Sequence, residues 1–250
     1  MQQIYPFPAK EIDLIDCYFG DERPANTERP WVLINMVNSM DGSIGLNGRA
    51  GGLSSPADQY LYQVLRGLAD IILVGAETVR AEGYQAVRSP EPRVAELRKI
   101  RGQTEKPRLA IVSGSLNLDP TAGMFANHDL SQPLPLIYTS ALTGQQHSKN
   151  ISDFAEIVDL GPQKLLASTL LSDLKKRNVQ TVLCEGGAKV NAFLLAENLI
   201  DEYCLAISPN MVGGSGGVDI TGQVPNAPHK FELNRVLEEE QFLFCRYIKK

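Results

Sequence analysis

A chain of 250 residues, 43% hydrophobic and 21% charged, has enough apolar surface for a full core and sits within the ordinary range of folded proteins. A formal charge of −5 and a pI near 5.3, with no basic stripe interleaved with aromatics, exclude the broad positive field that grips nucleic acid. No apolar run reaches the roughly 18 residues of a membrane span, and the start, Met1-Gln-Gln-Ile-Tyr-Pro-Phe-Pro, lacks a basic flank followed by an apolar stretch; a cytoplasmic location is expected.

Residues 1–30 mix prolines, acids and single apolar residues and read as an N-terminal arm or extension ahead of one domain over 31–250. Trp31 to Val37 is a β-rich run, followed by the turn Ser39-Met-Asp-Gly-Ser and a glycine-dense loop, Gly45-Leu-Asn-Gly-Arg-Ala-Gly-Gly. Asp41-Gly42 offers a carboxylate near a ligand or a tight turn, and the turn is favoured. Ser55 is a natural N-cap and Pro56 fits a first helical position, with Leu61, Val64, Leu65 and Leu68 at helical spacing behind them. Arg66 near the end of that helix can grip a phosphate with its planar fork or interact with the helix C-terminus.

Asp70-Ile-Ile-Leu-Val-Gly is a short continuous strand of the kind buried on both faces of a parallel sheet, and a helix starts at Ala76. Thr78 and Glu82 are four apart on one face of it, placed for ligand contacts or simply as a surface pair. Arg88, after a Gly83-Tyr84 turn, is a second possible anion contact. Further strands are expected at Leu109 to Val112, Leu134 to Tyr138, Ala155 to Val158 and Thr181 to Cys184. Ser113-Gly114-Ser115 is a phosphate-binding turn or only a turn. A helix carrying Leu165, Leu166, Leu170, Leu171 and Leu174 ends in Lys175-Lys176-Arg177 and stops at Asn178.

The segment Thr181-Val-Leu-Cys-Glu-Gly-Gly-Ala-Lys-Val190 carries the most information: a strand reaches the carboxylate of Glu185, breaks at two glycines and feeds a helix. Gly186 and Gly187 permit close backbone approach, and the open amides of the next helix favour an anion such as a dinucleotide pyrophosphate. Strands at Glu202 to Ile207 and Gln241 to Ile248 close the chain, the last as an antiparallel edge or hairpin, with a long loop from Asn210 to Pro228. The alternation of strands and helices predicts an α/β fold with a mixed sheet.

Four cysteines, Cys17, Cys184, Cys204 and Cys245, form no C-x-x-C pair and read as reduced, mostly buried small hydrophobes. His128, His147 and His229 are far apart, so neither a zinc site nor a Ser-His-Asp triad is indicated.

The order of these pieces resembles the pyrimidine reductase family of riboflavin biosynthesis: Asn38-Ser-Met-Asp-Gly42, the glycine loop, Ser54-Ser-Pro, Leu65-Arg66, Asp70 through Glu82, Glu185-Gly-Gly and Leu199-Ile-Asp-Glu202, spanning roughly Trp31 to Lys250. The resemblance implies a dihydrofolate-reductase-like three-layer fold with a mixed, mostly parallel sheet, NADPH as cofactor, and a homodimer. It implies reduction of the ribose of 5-amino-6-(5-phosphoribosylamino)uracil to the ribitylamino product. Substrate contacts fall on Arg66, Ala86, Arg88 and Glu185, and proton handling on Glu82 or Glu185. Cofactor contacts fall on Val37 or Asn38, Gly52, Thr78, Glu82, Gly114 and the amides from Gly186 and Gly187 through Ala188, Lys189 and Val190 to Phe193. Lys189, Arg49 and Arg80 are candidates for the cation that meets the ribose 2′-phosphate.

Three positions depart from the family's bifunctional members: Ala50 stands where they have serine, Glu82 where they have aspartate, and Ala188-Lys189 where they have Pro-Thr. Loss of a hydroxyl that bonds a substrate can shift substrate choice strongly. A paralogue acting on another pyrimidine, a pteridine or a dihydrofolate-like molecule is therefore an alternative, as is a non-catalytic NADPH-binding protein. The His-x-Glu and Pro-Cys-x-x-Cys signatures of the family's zinc deaminase do not occur, so deaminase activity is not expected.

Overall fold

Runs of Val, Ile and Leu separated by amphipathic segments produce, in the computed structural model, a layered α/β fold described for residues 1–45, 50–140, 151–161, 164–213 and 228–250. Its strands are β1 (Gln2–Tyr5), β2 (Lys10–Glu11), β3 (Trp31–Ser39), β4 (Ile71–Gly75), β5 (Arg108–Val112), β6 (Leu136–Thr139), β7 (Glu156–Asp159), β8 (Thr181–Cys184), β9 (Glu202–Ser208), β10 (Phe231–Glu239) and β11 (Phe242–Lys249). They form one sheet in the order β2-β1-β10-β11-β9-β3-β8-β4-β5-β6-β7. From β9 to β7 every neighbouring pair is parallel, while β11, β10, β1 and β2 are antiparallel to their neighbours. The sheet is mixed and mostly parallel, as the alternation of elements requires.

All five residues of β4 are buried, as expected of a strand covered on both faces. The helices α1 (Leu14–Phe19), α2 (Pro56–Leu68), α3 (Ala76–Glu82), α4 (Pro92–Ile100) and α5 (Gly123–Ala126) lie on one face, where Leu61, Leu65 and Leu68 meet Leu33 and Leu183, and Val79 meets Ile72 and Val74. On the other face, α6 (Ala167–Lys176) and α7 (Ala188–Ala196) press Leu170, Leu171, Leu174, Val190 and Leu194 onto Val32, Ile34, Leu73 and Val182. Local signals behave as read. Ser55 Oγ accepts the Asp58 amide at 3.2 Å and Pro56 opens α2. Asn178 stops the chain after α6 in a left-handed conformation, φ 65°.

Two expectations are corrected. Residues 1–30 are not an arm outside the fold: β1 pairs with β10, and α1 buries Leu14, Ile15, Tyr18 and Phe19 in the core beneath β3 and β11. The apolar pairs at i and i+4 give α1 a buried face, and the strand pairing is too remote in sequence to be seen locally. Only 20–30 lacks regular structure, and it is pinned by Arg23 and Arg29. The second correction concerns the C-terminal strand, which is interior: β10, unrecognised because charges interrupt it, lies between β11 and β1. A tight turn through Glu240 and Gln241, φ 53° and 66°, joins the β10–β11 hairpin. Most of the expected Asn210–Pro228 loop lies outside the described residues, as do His147 and Arg49.

Between α1 and the antiparallel strands lies a buried ionic cluster. Glu202, fully buried, accepts hydrogen bonds from Arg23 Nε and Nη2 at 2.9 Å each, Arg246 Nε at 2.7 Å and Trp31 Nε1 at 3.0 Å. Burial pushes its pKa up, but the charges and hydrogen bonds of Arg23 and Arg246 outweigh that and hold it below the usual range. Asp21 takes both arms of Arg235, at 2.9 and 2.7 Å, and Arg235 also stacks over the Tyr18 ring at 4.7 Å. Arg29 forks onto Asp201 at 2.5 and 2.6 Å. These pairs tie residues 20–30 to β9, β10 and β11.

Candidate active site

At the carboxyl ends of β3, β4, β5 and β8 the chain brings together Asn38, Gly75, Ser113, Gly114, Glu185 and Gly186, the end of an open parallel sheet where ligands bind. Glu185 N donates to the Leu73 carbonyl and Gly75 N to the Gly186 carbonyl, so β8 and β4 stay locked together into the turn. Gly186 adopts φ 84°, which only glycine takes without strain. Gly187 N donates to Thr78 Oγ1 at 2.9 Å, and a Cβ on Gly187 would lie 2.6 Å from that oxygen. The turn is therefore built around Thr78, and no side chain caps α7 behind it.

Glu185 is the centre of the polar cluster. Arg66 Nε reaches its Oε1 at 2.6 Å and Arg66 Nη2 its Oε2 at 2.7 Å, the fork geometry the residue type predicts. Tyr62 OH donates to Oε2 at 2.8 Å, and Tyr84 OH donates to the same oxygen. The Arg66 guanidinium stands 4.3 Å from the Tyr62 ring centroid and 5.6 Å from that of Tyr84. Burial lowers the Arg66 pKa, but the hydrogen bonds and charge of Glu185 overcome it and the net shift is upward. Burial, then the Glu185 charge, raises the Tyr62 phenol. Arg66 is thus a permanent cation and Tyr62 a permanent donor.

Sequence reading found Arg66 and Glu185 but missed both tyrosines. Tyr62 lies one helical turn before Arg66 on α2, a spacing that could have been used. Tyr84 arrives through Gly83, left-handed at φ 60°, and no local pattern shows which carboxylate it meets.

The other named residues separate into groups. Arg88 and Arg66 line one shallow depression with Gln63, Gly67, Val87, Pro90 and Pro107, so both expected anion contacts share a surface. Ala86 lies instead on the wall of the largest cavity, about 360 Å³, which opens at the amino ends of β4, β5 and β6. Its charged side chains are paired within the protein, Lys106 with Asp129 and Arg108 and Arg177 with Glu156. Glu82 is exposed at the end of α3, and among the described residues no hydrogen bond joins it to the Glu185 cluster. Val37 and Asn38 end β3, and Asn38 Oδ1 is buried without a partner.

Gly52 lies in the 3-10 turn Ala50–Leu53, and Gly114 follows β5 with nothing within 4 Å of a Cβ placed on it. Val190 is a core residue, its methyl against Gly75 and its amide donating to the Gly187 carbonyl, which corrects its reading as an open contact. Lys189 pairs with Glu77 at 2.6 Å on the exposed surface, and Arg80 Nη1 donates to the Asn117 carbonyl at 2.9 Å. Asp41 accepts from Ser39 Oγ and from the amides of Gly213 and Val212, contacts that hold its pKa down at about 2. It ties the turn after β3 to the segment after β9, which is the turn role favoured in the sequence. All four cysteines are free, and burial pushes the Cys184 thiol up to about 12.

Known proteins with this arrangement are reductases. The chain is 28% identical over 188 residues, 74% of its length and 83% of the relative's, to the 2,5-diamino-6-ribosylamino-4(3H)-pyrimidinone 5′-phosphate reductase of Archaeoglobus fulgidus. It is 25% identical over 189 residues to the riboflavin biosynthesis protein RibD of Haemophilus influenzae, matching 74% of this chain and 48% of that longer one. The fold superposes on a pyrimidine reductase-like protein from Corynebacterium diphtheriae with a TM-score of 0.83 at 24% identity, covering 96% of this chain and 99% of the other. Residues 30–240 match the model of the RibD C-terminal domain, and the chain belongs to that family.

Proposed function

We propose that the protein is an NADPH-dependent reductase that converts the ribosyl group of a phosphorylated 6-ribosylaminopyrimidine to a ribityl chain. The observation that carries this reading is the Arg66–Glu185 pair set beside Arg88 at one side of a glycine turn that is shaped by Thr78. Two forms of the substrate differ at C2 of the ring, the uracil and the 2,5-diaminopyrimidinone. The names of the relatives matched over most of their length favour the diamino form.

The cofactor fits features of this chain. Asn38 Oδ1 is a buried acceptor in want of a donor such as a carboxamide N–H, Gly114 leaves open space for close approach, and α7 begins with uncapped amides suited to a pyrophosphate. When bound, the nicotinamide supplies hydride to C1′ of the ring-opened imine, which also takes one proton. The residues of this chain do the positioning. Arg66 and Arg88 neutralise the phosphate, and Glu185 holds the Arg66 fork in one plane. Cytoplasmic catalysis follows from this reading, and no helix among the described residues is long and apolar enough to cross a membrane.

A homodimer has a physical motive. The helices α6 and α7 cover the parallel half of their face, while Leu205, Ile207, Val236 and Leu243 remain partly exposed on the antiparallel half, Leu243 at 36%. The register aligns Ile207 with Leu243 and Leu205 with Cys245 on one side of the sheet, an apolar surface suited to a second copy.

The deciding experiment mixes purified protein and NADPH with each pyrimidine in turn. Oxidation dependent on either one supports the reading, and the faster substrate fixes the ring. Tight NADPH binding without oxidation by either directs the search to another pyrimidine, a pteridine or a dihydrofolate-like molecule.

The two glycines make a paired prediction. Gly114→Ala is expected to leave stability unchanged and to weaken NADPH about tenfold, since its Cβ points into open space that the cofactor would fill. Gly187→Ala is expected to weaken NADPH as well and to cost about 1–3 kcal/mol of stability through its clash with Thr78. Titration of NADPH fluorescence and urea unfolding measure both. Unchanged affinity in Gly114→Ala would remove that loop from the cofactor path.

A further inference from the structure

Glu185 accepts four donor bonds, but their distribution is unequal. Oε2 takes Tyr62 OH, Tyr84 OH and Arg66 Nη2, whereas Oε1 takes only Arg66 Nε. A carboxylate oxygen has two lone pairs, so Oε2 is filled and Oε1 keeps one acceptor position. Arg66 is used in the same lopsided way: Nε and Nη2 face the carboxylate and Tyr84, while Nη1 makes no bond to it and borders the depression shared with Arg88. The side chains are held tightly, with Glu185 4% and Arg66 16% exposed.

We infer that Tyr62 and Tyr84 are positioning residues that fix the rotation of the Glu185 carboxylate, so that Oε1 is offered to one N–H of the substrate's pyrimidine and Arg66 Nη1 to its anion. The proposal rests on the reductase reading above and settles the part Glu185 plays in it. Every contact of the carboxylate is with a donor, so it recognises the ring as an acceptor; proton delivery to the imine falls to another group.

The two tyrosines reach the carboxylate from different elements. Tyr62 comes from α2, on the same face as Arg66 and one turn earlier, and its ring also supports the guanidinium. Tyr84 comes from the segment after α3, beyond the left-handed Gly83. Removing one hydroxyl leaves the other to hold Oε2; removing both frees the carboxylate to rotate about its last bond. The effect of the double variant is therefore expected to exceed the product of the two single ones.

The test uses Tyr62→Phe, Tyr84→Phe and the double variant with the pyrimidine that the wild type reduces. The double variant is expected to raise KM for the pyrimidine about ten- to hundredfold, the loss of one hydrogen bond to a charged acceptor, with kcat within threefold and KM for NADPH unchanged. A fall in kcat at constant KM would overturn the proposal by making the hydroxyls proton donors. An unchanged KM with lowered Tm would overturn it by making them structural.

A second readout needs no turnover. In wild-type protein labelled with 15N, the Arg66 Nε–H resonance, identified by its loss in Arg66→Lys, should be sharp and slow to exchange. Broadening of that resonance in the double variant supports the proposal, and an unchanged resonance overturns it. If the wild type reduces neither pyrimidine, the functional reading fails while this measurement still decides the role of the tyrosines.

Discussion

Glu185→Gln is expected to lower kcat/KM for the phosphorylated pyrimidine on the order of 100-fold. The amide has nearly the shape of the carboxylate, but it carries one acceptor oxygen where Arg66 presents two donors, and its NH2 faces a guanidinium or a phenol that also donates. The variant loses charge-assisted bonds worth about 1.5–3 kcal/mol, and each 1.36 kcal/mol is about tenfold in rate. Arg66 is left as a half-buried cation without its partner, free to swing from the plane that Glu185 imposes. Steady-state NADPH oxidation measures the effect, and a variant within threefold of wild type would remove Glu185 from the substrate site. Arg66→Lys, which keeps the charge and loses the fork, serves as the comparison.

Glu202→Ala is expected to cost about 3–5 kcal/mol of stability, the range for stripping the partner from buried charges. Arg23 and Arg246 both spend hydrogen bonds on this carboxylate, and Trp31 donates to it as well. With total stabilities of roughly 5–15 kcal/mol, such a loss is a large fraction of the whole. For a chain of this size the fall in Tm is on the order of 10 °C. Urea unfolding at neutral pH gives the number. A loss below about 1 kcal/mol would mean that water reaches the cluster and screens it. The position is remote from Glu185 in the sheet, so the folded fraction should keep its KM.

The parallel half of the fold was legible because its signals are local. Five apolar residues in a row mark β4, and Ser55-Pro56 marks the start of α2. Asn178 marks the end of α6. The antiparallel half was not, since β1 and β10 are recognisable only as partners of each other and of β11. Arg235 makes the point: an arginine in a strand reads as exposed, yet it is buried because Asp21, more than 200 residues away, meets it. In the site, Arg66 and Glu185 could be singled out by chemistry and by their place at the ends of elements. Their pairing, and the tyrosines that complete it, depend on how α2 and the segment after α3 cross β8. The position of Ala86 also came out differently, because the chain between Tyr84 and Arg88 passes from one end of the strands toward the other.

The place of β8 in the sheet bears on how the molecule folds. It lies between β3 and β4, which are neighbours in sequence but never touch as strands, and it is supplied more than 100 residues after β4. The first half of the chain cannot close its own sheet; the gap waits for residues 181–184, and β3 gains its other neighbour only from β9. Folding is then governed by distant contacts and is intrinsically slow. Glu185 sits at the tip of the strand that fills this gap, so the active site is assembled in the same event that completes the middle of the sheet. A half-folded chain holds no half-formed site, and the single tryptophan, on β3 against Glu202, is a built-in fluorophore for following that event.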